Sequence, residues 1–104
     1  MERVSFESGI TVLDQDGKKG VRLLSLSGAE LVEIRLEPHA SIPPHSTSVD
    51  VIFYVKRGRC LITLEEVTEE AEAGDAVAGP VGVFHGLENP HKDPAEVLVF
   101  KLPK

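Results

Sequence analysis

Apolar and polar positions alternate in short runs along this chain, and clusters of turn-forming residues separate the runs. LVEIRL (31–36) and TSVDVIFYVK (47–56) show the period of two expected of a strand with one face inward. Within the strand predicted at EVLVFKL (96–102), EVLVF is apolar on both faces, as suits a barrel or sandwich that also packs against a partner. Further strands are predicted at ITVLD (10–14), VRLLSL (21–26), CLITLEE (60–66), DAVAGP (75–80) and VFHGLE (83–88). DQDGKKG (14–20), SGAE (27–30), PHASIPP (38–44), RG (57–58), AGD (73–75) and NPHKDP (89–94) read as the turns between them. EEVTEEAEAGD (65–75) has helix-forming residues but no apolar stripe at helical spacing, so it reads as a strand, a turn and the approach to Gly74. The pattern is that of an all-β chain with many antiparallel strands.

Composition narrows the function classes. With 104 residues, 41% hydrophobic and 27% charged, the chain is expected to fold as one domain over residues 1–104. Its net charge of -6 argues against nucleic acid as a partner, because phosphate backbones are held by clustered Lys and Arg. Cys60 stands alone, so no intrachain disulfide forms and a reducing cytoplasm is the expected compartment. MERVSFESGI lacks the apolar core of an export signal, and no run nears the roughly 18 to 20 apolar residues of a membrane span. No membrane partner is expected.

The candidate chemistry gathers on histidines. In GDAVAGPVGVFHGLEN, Gly74, Pro80, Gly82, His85 and Asn89 stand at the spacing G-x5-P-x-G-x2-H-x3-N. Gly74 opens a strand after a tight turn, Pro80 and Gly82 turn the chain back, and His85 then points inward from a rigid strand. Asn89 is expected to close the following turn by side-chain to backbone bonding.

This motif resembles the second motif of the cupin superfamily, small antiparallel jelly-roll β-barrels, and all five marked positions match. The first cupin motif, G-x5-H-x-H-x3 or 4-E-x6-G, falls on residues 39–58 with departures. His39 takes the position of the leading glycine, His45 keeps the first histidine, Thr47 replaces the second, Val51 replaces the glutamate, and Gly58 closes the motif. The resemblance covers the chain from about residue 31 onward and implies an all-β, antiparallel jelly-roll β-barrel. In metal-binding cupins the histidines and glutamate of these motifs hold one divalent ion. Carried over, only His45 and His85 remain as metal ligands, for an ion such as Mn, Fe, Zn or Ni.

Strand parity places Thr47, Val49, Val51, Phe53 and Val55 on the same inward face as His45. A threonine hydroxyl is a weak substitute for an imidazole, and valine supplies neither lone pair nor charge. Thr47, Asp50, Val51 and His39 are therefore accessory pocket candidates. Asp50 needs a bulge to turn inward, and His39 would have to swing to the barrel mouth. Glu88 shares the parity problem of Asp50, and His91 lies in its own loop. A type II turn at Pro38-His39 would demand positive φ, whereas a type I turn would not. If Arg57-Gly58 is a hairpin turn, Val55 lies opposite Cys60, which is then a packed thiol. Tyr54 and Ile52 form an outward row suited to an interface.

Three functions fit these residues. One is a metal-dependent enzyme acting on a small organic molecule through His45 and His85. Another is a non-catalytic module that binds a small-molecule ligand in the barrel without metal. The third is an oligomeric accessory protein, since the resemblance implies a homodimer packed through an outer sheet face.

Overall fold

The computed structural model describes all 104 residues. Ten strands form: β1 (Ile10–Gln15), β2 (Lys18–Leu26), β3 (Ala29–Leu36), β4 (Ser41–His45), β5 (Val51–Arg57), β6 (Arg59–Leu64), β7 (Val67–Glu72), β8 (Ala76–Gly79), β9 (His85–Glu88) and β10 (Ala95–Lys101). All pairings are antiparallel, in a six-stranded sheet ordered β1-β2-β3-β10-β5-β8 and a four-stranded sheet ordered β4-β9-β6-β7. No helix is long and apolar enough to cross a membrane.

The period of two builds the core. In β5, Val51, Phe53 and Val55 are buried while Ile52, Tyr54 and Lys56 are exposed. In β10, Ala95, Val97 and Val99 are buried in the same rhythm. These residues join Leu36, Cys60, Ile62 and Leu87 in one cluster between the sheets, where each large side chain contributes about 1.5–3 kcal/mol of burial.

Three expectations need correction. PHASIPP does not end as a turn: the turn closes at Ala40, whose N–H donates to Glu37 O at 3.0 Å, and β4 follows from Ser41. Pro43 and Pro44 lack an N–H, which an edge strand tolerates, and β4 is such an edge. The next strand begins at Val51 rather than at residue 47, because residues 46–50 carry the chain from one sheet to the other. Arg57-Gly58 is no hairpin turn either, since β5 and β6 belong to different sheets. Gly58 makes the crossing with φ at 78°, and a Cβ there would lie 2.5 Å from Pro94 O. Only glycine fits both conditions.

Outside the barrel, the N-terminal residues lie on the outer face of β3. The Arg35 guanidinium stacks 3.8 Å over the Phe6 ring, and the buried Glu33 accepts from Arg35 Nε at 2.8 Å and Lys56 Nζ at 3.1 Å. A carboxylate on the outward side of a strand is thus covered and paired.

Candidate functional site

His45 ends β4 and His85 begins β9, and the two are register partners across that ladder. Their contact depends on Gly86. A Cβ at that position would lie 2.9 Å from Ile42 O and 3.1 Å from Pro44 N, so any side chain would push β4 away from β9. The rings meet edge-on with centroids 4.6 Å apart, and Phe53 also meets His85 edge-on at 5.0 Å.

The two imidazoles differ in state. His45 is exposed, and its Nδ1 donates to Pro43 O at 3.2 Å, which leaves Nε2 as a free lone pair. His85 is buried, and its Nδ1 is the buried side-chain polar atom left without a hydrogen-bond partner. Burial, then the neighbouring His45, pushes its pKa below the ordinary 6.5, and Lys101 adds to the effect. The Val83 backbone opposes the shift without reaching hydrogen-bond geometry. At neutral pH His85 is an uncharged imidazole.

Both histidines line a cavity of about 150 Å³ between the sheets. Nine of its fifteen lining residues are hydrophobic, among them Val32, Ile34, Ile42, Leu87 and Val99. Val12 and His45, both exposed, mark where it meets solvent. Two wider depressions on the surface, of about 480 and 470 Å³, contain no histidine.

Of the accessory candidates, Thr47 and Val51 line this cavity, whereas Asp50 and His39 do not. Thr47 donates its hydroxyl to Val49 O at 2.7 Å, so it offers the cavity only an acceptor. Asp50 Oδ1 accepts from Val81 N at 2.8 Å and fixes the Pro80–Gly82 turn. His39 is exposed in the turn after β3 with φ at 69°, the positive value of the type II alternative. His91 lies against Glu70 at the edge of the four-stranded sheet, and Glu88 is exposed at the end of β9. Cys60 is fully buried, with its pKa pushed up to about 11 by burial and then by Glu70. It is a packed thiol.

One lining residue was passed over in the sequence. Lys101 occupies the next inward position of β10 after Val97 and Val99, and it lines the cavity beside Val51, its partner across the ladder. The alternation of AEVLVFK was the available signal.

The donor set decides what the cavity can hold. No group of three His, Cys, Asp or Glu side chains is placed to hold a metal ion. Catalytic zinc sites use three protein ligands, and non-haem iron sites two histidines with a carboxylate. Here two imidazoles face a lysine and no carboxylate. A divalent cation would lack its balancing anion and would meet a like charge, so these residues do not fit a resident ion.

The cupin-domain family model matches residues 32–101, and the chain belongs to the cupin family. Beta-conglycinin beta subunit 1 of Glycine max is 28% identical over 97 residues, covering 89% of this chain and 22% of that protein. The chain therefore spans about a fifth of the length of that relative. An RmlC-like cupin from Shewanella frigidimarina superposes with a TM-score of 0.84 at 23% identity, over 100% of this chain and 93% of that one. KdgF from Halomonas sp. superposes with a TM-score of 0.83 at 19% identity, over 100% and 96%. At these identities the two structures speak for the fold, which is the expected all-β, antiparallel jelly-roll barrel.

Proposed function

We propose that this cupin is a non-catalytic module that binds a small organic molecule between its sheets without a resident metal. The observation that carries this reading is the polar share of the cavity lining, which includes His45, Thr47, His85 and Lys101 and no carboxylate. The remaining wall is mostly apolar, the composition of a small-molecule pocket in which a few polar groups orient the ligand. Binding would replace cavity water by contact with Val32, Ile34 and Leu87. The test is a small-molecule thermal-shift screen run with and without chelator. Stabilising ligands whose shifts ignore the chelator support the reading, and shifts abolished by it count against it.

The competing reading is a divalent ion, Mn, Fe, Zn or Ni, held by His45 and His85 with water in the other positions. The free Nε2 of His45, oriented by the Nδ1 bond to Pro43 O, is the donor such an ion would use, set against the missing carboxylate. Elemental analysis of untreated protein separates the two. About one equivalent of transition metal, lost in His45→Ala, would replace the first reading with the second.

We further infer a homodimer and a cytoplasmic setting. Ile52, Tyr54 and Phe100 form an exposed apolar row on the outer face of β5 and β10, which supports a second copy packing there. The lone thiol supports a reducing compartment. Gel filtration at micromolar concentration tests the dimer, and a monomer defeats it.

A further inference from the structure

We propose that the cavity selects a small organic anion, a monocarboxylate whose charge pairs with the Lys101 ammonium while its apolar part lies between Val32, Ile34 and Leu87. The proposal rests on the reading of the barrel as a metal-free binding module and names its ligand class.

Lys101 is a half-buried cation without a counterion. None of the ion pairs of the chain includes it. Two carboxylates that strand register brings near it are engaged elsewhere. Glu30, its partner on β3, lies 3.7 Å from Arg22, and Asp50, beside Val51, accepts from Val81 N. Lys101 instead lines a mostly apolar cavity, where a lower local dielectric would strengthen its pull on an anion and raise the cost of a second cation. The net charge of -6 supplies no long-range attraction for anions, so the selectivity is local to this residue.

The remaining groups orient the ligand. Thr47 has donated its proton to Val49 O, and His45 has donated its Nδ1 proton to Pro43 O, so neither competes with Lys101 as a donor. From Lys101 the cavity runs past Val99 and Val32 toward Ile34. An amphipathic molecule therefore enters with its charge at Lys101 and its apolar part along β3. The volume, about 150 Å³, sets the size. Cavities of about that volume hold a molecule near the size of benzene, which corresponds to monocarboxylates of about four to seven carbons.

The test is calorimetry on chelator-treated, full-length protein with a panel of such monocarboxylates, among them benzoate and 3-methylbutanoate, each paired with its primary amide. A hydrogen-bonded charge pair predicts that a carboxylate binds roughly ten- to a hundredfold more tightly than its amide. Lys101→Met should remove that preference by weakening carboxylates far more than amides, and Lys101→Arg should retain it, which also controls for folding. Amides that bind as well as carboxylates overturn the anion inference and leave the binding module standing. If neither class binds the wild-type chain, both fall.

Discussion

The His85 imidazole meets His45 edge-on at 4.6 Å, and the buried ring of the pair has its pKa pushed down by burial and by that neighbour. Below the ordinary value of 6.5 the unfolded chain takes up a proton that the folded chain resists. The stability due to neutral His85 is therefore full above about pH 6.5 and is lost as pH falls through its lower folded value. Melting temperature should drop between pH 7 and pH 5, and the drop should be smaller in His85→Gln. Equal slopes in the two proteins would remove His85 as the cause.

Asn89 is buried and fully bonded. Its Nδ2 donates to Leu36 O at 3.1 Å and Asp93 O at 2.8 Å, and its Oδ1 accepts from His91 N at 3.0 Å. Asn89→Ala leaves the Leu36 carbonyl without that donor in the core and should cost about 2–3 kcal/mol. Urea unfolding measures it, and a loss below about 0.5 kcal/mol, the low end for a single bond, would contradict the bonding.

His39 holds φ at 69° where the family motif has glycine. A left-handed residue with a Cβ costs roughly 1–2 kcal/mol, part of which glycine returns as chain entropy. His39→Gly should gain about 0.5–1 kcal/mol, a rise of a few degrees in Tm for a chain of this size. A lower Tm would mean that the exposed imidazole makes contacts worth more than the strain.

The Cys60 thiol, pushed up to about 11, should resist modification by a thiol reagent in folded protein at neutral pH and react at once in urea. Its raised pKa also fixes a sign. The stability it contributes is full below the unfolded value near 9.0 and is lost as pH rises toward 11. Labelling at the same rate in folded and unfolded chains would show that the core around it opens.

Most strands were legible because alternation survives wherever one face is buried, as in β3 and β5. β4 was not, because its prolines read locally as a turn and only the β9 edge makes SIPPH a strand. The acidic VTEEAE was blurred for a related reason: β7 is an edge strand paired only with β6, and charge is what such an edge carries. The hairpin weighed as one option for Arg57-Gly58 does not form, because a glycine turn shows that the chain bends without showing whether it stays in the same sheet.

At the site, the sequence by itself determined the inward faces, the pairing of His45 with His85 as candidates, and the loss of the family's second histidine and glutamate at Thr47 and Val51. Tertiary structure alone decided what those losses mean. It turned Asp50 to the Val81 amide, kept His39 outside the cavity, and brought Lys101 in from the far end of the chain. Periodicity reports which way a side chain points relative to its own strand. The charge balance of a cavity depends on which strands two sheets bring face to face, and no local pattern encodes that.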